Sequence, residues 1–138
     1  MTIVAYTDGA SRGNPGESGI GVILKDEAGT ILFQASGYIG VATNNVAEYQ
    51  ALLVCLKKAR ELRCTKLVVH SDSELMVRQL SGKYRVKDKK LQSYFREAHS
   101  LLKDSPFTFE IVHVAREGNR DADDLANQGI DSGEQLKV

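Results

Sequence analysis

The spacing of apolar residues first changes character near Asn45, and that change limits what the chain can fold into more than any other feature. Before it lie three runs with the period of a strand. Thr2–Thr7 sets Ile3 and Ala5 against Val4 and Tyr6 and stops at an Asp8-Gly9 turn signal. Gly19–Leu24 and Thr30–Ile39 follow, joined through Asp26-Glu27-Ala28-Gly29, which reads as a hairpin turn. Residues 9–18 hold three Gly, one Pro and two Ser and are expected to form a loop. Beyond the change, Tyr49, Leu52, Leu53, Leu56 and Ala59 recur at helical spacing, which predicts a helix from Asn45 to about Leu62.

The rest alternates. A strand over Lys66–His70 carries the β-branched pair Val68-Val69, and a short helix over Ser73–Leu80 is broken at Gly82. A helix over Asp88–Leu102 puts Leu91, Tyr94, Phe95, Ala98 and Leu101 on one stripe and ends before Pro106. Phe107–Val114 reads as a fifth strand and Asn119–Asn127 as a last helix. Gly129–Val138 is polar and expected to fray, so the reading is one domain over residues 1–128 and a tail over 129–138.

Three strands with short connections should pair antiparallel, whereas strands reached through helices should return parallel by right-handed crossover. The expected fold class is therefore α/β: a five-stranded mixed sheet flanked by helices, with the fourth and fifth strands parallel to the first. Composition agrees. At 138 residues, 42% hydrophobic and 26% charged, the chain can bury a core, and a disordered chain is excluded. No run approaches the ~18 apolar residues of a membrane span. Cys55 and Cys64 show no metal-binding spacing and read as reduced thiols. The N-terminus enters strand at once, without a basic segment or cleavage site, so the expected compartment is the cytoplasm.

Net charge is zero but unevenly spread. Residues 83–90 hold five basic side chains and one acid, whereas residues 117–138 hold six acids and two bases. The topology also sorts the acids. With the first strand running up, Asp8, residues 9–18, residues 43–48, Asp72 and residues 116–124 gather at one end, outside the carboxyl ends of the strands, where open α/β sheets bind ligands. Asp8 and Asp72 end strands which, if adjacent, lie about 4.8 Å apart, close enough to share a cation. Glu48 and Asp123 open the helices beside them. Four carboxylates on one rim repel unless protonated or neutralised, and with no His or Cys placed among them the hard cations Mg²⁺ and Mn²⁺ fit better than zinc. Each acid also has a purely structural reading: Asp8 as a turn former, Glu48 in a capping box with Asn45, Asp72 as an N-cap, Asp121, Asp123 and Asp124 as complements to a helix dipole.

The words around the acids are more specific. Thr7-Asp8-Gly9-Ala10-Ser11-Arg12-Gly13-Asn14-Pro15-Gly16 resembles the opening signature of type I ribonuclease H. Thr43-Asn44-Asn45-Val46-Ala47-Glu48-Tyr49-Gln50-Ala51-Leu52 resembles its second block, Ser71-Asp72-Ser73 its third, and Asn119-Arg120-Asp121-Ala122-Asp123-Asp124-Leu125-Ala126 its fourth. The blocks stand in the family's order and cover residues 7–126. The resemblance implies an endoribonuclease that cuts the RNA strand of an RNA–DNA hybrid, leaves 5′-phosphate and 3′-hydroxyl ends, and uses two Mg²⁺ ions, with Mn²⁺ as a substitute. Asp8 would bridge both ions, Glu48 and Asp72 serve one, and Asp123 the other. Two ions roughly 4 Å apart suit activation of a water and stabilisation of the leaving oxygen.

By the same resemblance Gly13, Asn14, Asn44 and Asn45 face the hybrid's minor groove, where an amide can both donate to and accept from a 2′-hydroxyl, and Thr43 meets a DNA-strand phosphate. Helix capping is the structural alternative for Asn44 and Asn45, and a plain turn for Asn14-Pro15-Gly16. Two departures stand out. The stretch before the last helix is short, and His113 lies in the predicted strand, too far back to match the family's loop histidine. Arg116 is expected to approach the phosphate instead, as in the family branch with Arg here. The basic helix-loop that some members insert is reduced to Gly82-Lys83-Tyr84-Arg85-Val86-Lys87, which implies weak, salt-dependent binding. The expected partner is the hybrid alone, bound by a monomer. The rivals are a two-metal DNA nuclease on the same sheet and a non-enzymatic hybrid-binding module.

Overall fold

The computed structural model describes residues 1–136. Five strands, β1 (Thr2–Gly13), β2 (Gly16–Lys25), β3 (Ile31–Ala42), β4 (Lys66–Ser71) and β5 (Thr108–His113), form one sheet in the order β3-β2-β1-β4-β5. β1, β2 and β3 pair antiparallel, and β4 and β5 run parallel to β1, as the connection lengths require. Four helices cover it: α1 (Asn44–Glu61), α2 (Glu74–Leu80), α3 (Lys89–Lys103) and α4 (Arg120–Ser132). Ile3, Ala5, Val22, Leu24, Leu67 and Val69 are fully buried, and α1 lies on them with Leu52, Cys55, Leu56 and Ala59. α3 packs its apolar stripe on the outer side of α1, where Gln50 donates to the Tyr94 hydroxyl at 3.2 Å.

Two expectations are corrected here. Residues 9–18 are not a loop. β1 continues through Asp8 to Gly13 and pairs with β2 from Val4↔Lys25 to Gly13↔Gly16, leaving only a tight turn at Asn14-Pro15. Gly13 and Gly16 border that turn, whereas Gly9, like Gly21 on β2, is a place where a helix presses on the sheet. A Cβ on Gly9 would stand 2.3 Å from the Ala47 carbonyl carbon in α1, and one on Gly21 would stand 2.1 Å from the Ala122 oxygen in α4. Residues 129–134, the start of the expected tail, are not frayed either; residues 137–138 lie outside the described residues. Helix α4 runs on to Ser132, Gly129 sits against the Gly37 backbone, and the Tyr38 N–H donates to the Glu134 carbonyl at 2.8 Å. Close contact with β3 supplies what its polar composition does not.

Candidate active site

Asp8 is the first residue of β1 beyond its pairing with β4, which ends at Thr7↔Ser71, so Asp72 emerges directly beside it. Glu48 lies in the first turns of α1 and Asp123 in the first turn of α4. Asp8, Glu48 and Asp72 each offer an oxygen, and these oxygens lie within 4.8 Å of one another. Asp123 lies near enough to Asp8 to favour its protonated form. All four line one open cleft of about 580 Å³.

The structural jobs that could explain these acids belong to their neighbours. Thr43 caps α1, its hydroxyl accepting from the Val46 N–H at 3.2 Å, so neither Asn45 nor Glu48 is needed there. Ser73 caps α2 by accepting from the Met76 N–H at 3.2 Å, which leaves Asp72 free. Asp8 stands within a strand, not a turn. Glu48 is 2% exposed; one carboxylate oxygen accepts from the Gly9 N–H, and the other, Oε2, is buried without a hydrogen-bond partner. A buried carboxylate oxygen facing two further carboxylates, with no donor to satisfy it, is the environment a hard divalent cation completes.

The electrostatics point the same way. Burial, then the Glu48 charge beside it, with Asp72 and Asp123 adding to both, pushes the Asp8 carboxyl far above the usual carboxylate range. Burial raises Glu48 as well, opposed by the neighbouring Asp8 carboxyl and by the Gly9 N–H, which favour its ionised form. A bound cation would relieve the repulsion that raises both carboxyls.

The residues expected to meet nucleic acid divide between two adjoining depressions. Asn44 and Arg116 line the acidic cleft, Arg116 from the start of a short 3-10 turn over Arg116–Asn119. Asn14, Thr43 and Asn45 line a groove of about 470 Å³ together with Arg85, Lys87 and Lys90. The two are joined by Asn14, whose Oδ1 accepts from the Asn44 N–H at 3.1 Å, and Gly13 forms the preceding turn with φ +107°. His113, set too far back by the sequence reading, is the last residue of β5 and lines the acidic cleft. Sequence reasoning also missed Asn119, which is buried and donates to the Thr7 carbonyl at 2.8 Å, tying the 3-10 turn to the residue before Asp8. Its signal was its place at the head of the Asn119–Ala126 block.

A family model described as reverse transcriptase-like matches residues 6–129. A ribonuclease H of Cupriavidus pinatubonensis is 32% identical over 143 residues, which covers 94% of this chain and 96% of that one. The chain belongs to the ribonuclease H family. A ribonuclease HI of Halobacterium salinarum is 39% identical over 127 residues, 92% of this chain and 63% of that protein. A bifunctional protein of Mycobacterium tuberculosis is 40% identical over 137 residues, and the chain spans 98% of itself but 37% of that relative. Among solved structures, the LC11 ribonuclease H1 in complex with an RNA/DNA hybrid matches at a TM-score of 0.91 and 41% identity, over 95% of this chain and 98% of that one. As a ribonuclease H, the chain has the five-stranded sheet, the strand order and an acidic cluster able to bind a divalent metal. No helix among the described residues is long and apolar enough to cross a membrane.

Proposed function

We propose that this ribonuclease H is an endoribonuclease that hydrolyses the RNA strand of RNA–DNA hybrids. The observation that carries the reading is the convergence of Asp8, Glu48 and Asp72 oxygens within 4.8 Å around a buried, unpartnered Glu48 Oε2. Asp8, Glu48, Asp72 and Asp123 would hold two Mg²⁺ ions, or Mn²⁺ in their place. Such ions, when bound, supply charge stabilisation and an activated water at the phosphodiester. Asp8, which lies beside the other three carboxylates, would serve both ions. Glu48 and Asp72 would help to hold one ion, and Asp123 the other.

The chain's own side chains do the rest. Arg116, at the cleft mouth, meets the phosphate as a charged donor. Asn14, Asn44 and Asn45 with the Gly13 turn read the minor groove of the hybrid, where the 2′-hydroxyl separates RNA from DNA. Thr43 stands in the groove with Arg85, Lys87 and Lys90, which suits a DNA-strand phosphate. One chain supplies all four carboxylates, so a monomer suffices. The buried free thiols Cys55 and Cys64 favour a reducing, cytoplasmic setting.

The test uses one 5′-labelled RNA strand as single strand, as RNA duplex and as DNA hybrid, each with Mg²⁺, Mn²⁺ or chelator. Internal cuts confined to the hybrid and abolished by chelator are expected. Tight hybrid binding without products would reduce the chain to a binding module, and cleavage of the DNA strand would make it a different nuclease.

A further inference from the structure

Asp123, Asn127 and Asp131 are spaced four residues apart on α4 and so share one helix face, turned toward the β1–β2 hairpin. Arg12, two residues before Asn14, reaches this face. Its Nη1 pairs with Asp131 Oδ1 at 2.7 Å, and its Nη2 donates to Asn127 Oδ1 at 3.4 Å. Asn127 Nδ2 in turn donates to the Asp123 carbonyl at 3.0 Å and reaches the Asp123 carboxylate Oδ1 at 3.4 Å.

The order of these contacts has a chemical consequence. An amide can present either its oxygen or its nitrogen to a neighbour, but a guanidinium only donates. Arg12 therefore selects the orientation of Asn127 in which the oxygen faces Arg12 and the NH₂ faces Asp123. A donor aimed at the outer side of a carboxylate limits its rotation and leaves the other oxygen for a ligand, which is how outer-shell contacts tune metal sites.

We infer that Arg12 and Asn127 are positioning residues for Asp123, fixing its carboxylate for cation binding and linking it to the hairpin that carries Asn14. The inference rests on the metal role given to Asp123 under the proposed function. The Arg12–Asp131 pair is solvent-exposed, with side chains 48% and 65% accessible, so it adds little to folding. Its loss should leave the melting temperature nearly unchanged while altering the response to metal.

The experiment titrates Mn²⁺ into the free protein and into the protein loaded with a hybrid made uncleavable by a 2′-deoxy linkage. Bound Mn²⁺ is counted by electron paramagnetic resonance, beside the Mn²⁺ dependence of hybrid cleavage. Asn127→Ala should raise the half-saturating Mn²⁺ on the order of tenfold. Arg12→Ala should raise it less, and Arg12→Lys should restore part of the loss. The Arg12→Ala/Asn127→Ala double variant should be no worse than Asn127→Ala alone, because Arg12 acts through the amide. Unchanged Mn²⁺ binding in Asn127→Ala, with Asp123→Asn impaired, would overturn the inference and leave the hydrolase reading intact. Additive losses in the double variant would also overturn it. A wild-type protein that fails to cut hybrid but loses Mn²⁺ binding in both Asp123→Asn and Asn127→Ala would sink the hydrolase reading and uphold this one.

Discussion

Glu48, one turn into α1, accepts a hydrogen bond from the backbone N–H of Gly9, the residue after Asp8 on β1. The contact exists because Gly9 has no side chain: α1 approaches until a Cβ would stand 2.3 Å from the Ala47 carbonyl carbon. Glu48 is thereby delivered to Asp8 by the strand's own backbone, with its second oxygen left toward the cleft.

Gly9→Ala should accordingly damage fold and site together. The obstruction is backbone, so α1 must move, and overpacking of this kind costs about 1–3 kcal/mol. Urea unfolding should show that loss, and hybrid cleavage should fall further than stability alone explains, since Glu48 travels with the helix.

Asp8→Asn should do the reverse. The amide is nearly isosteric and always neutral, so folding no longer has to protonate a carboxyl whose charge burial and its neighbours oppose, and the metal-free protein should melt at a higher temperature. Metal-dependent cleavage should be lost by at least about three orders of magnitude, on the scale of removing a principal electrostatic contributor. Full activity in this variant, measured on labelled hybrid, would refute the metal assignment.

The raised Asp8 and Glu48 carboxyls set a pH dependence with a definite sign. Unfolded carboxyls titrate near pH 4, whereas in the folded protein both hold their protons to higher pH. Above the unfolded value the folded state therefore binds more protons, and stability falls as pH rises. Thermal unfolding with chelator should give a higher melting temperature near pH 5 than near pH 8. Mg²⁺ should shrink that difference, because it binds the ionised folded form alone.

Arg116→Ala should slow cleavage of the hybrid tenfold or more, on the order of one charge-assisted contact, with hybrid affinity largely kept. Single-turnover rates beside equilibrium binding separate the two. An unchanged rate would return Arg116 to the ordinary surface.

Lys87→Ala and Arg85→Ala should weaken hybrid binding without changing which strand is cut. Each lost phosphate contact should lower the slope of log affinity against log salt by about one. Binding measured across a salt series is the check, and an unaltered slope would leave the 83–90 run as a solvated surface.

Much of this molecule was legible before any coordinates. The change from period two to helical spacing near Asn45 and the lengths of the connections fix strand directions by sterics and handedness, and with them the end of the sheet at which Asp8, Glu48, Asp72 and Asp123 meet. Only the tertiary structure decided the rest. Gly9 reads as a loop residue, yet lies in a strand that α1 approaches so closely that no side chain would fit. Gly129–Ser132 reads as tail, yet is helix, and Gly129, having no side chain, lets α4 press against the Gly37 backbone of β3. Whether Asp72 or Ser73, and Thr43 or Asn45, caps its helix depends on local geometry that residue types leave open. Periodicity registers one buried face of one element. Where two backbones touch with no side chain between them, the sequence carries only the smallness of the residue, and the partner that makes it necessary lies far along the chain.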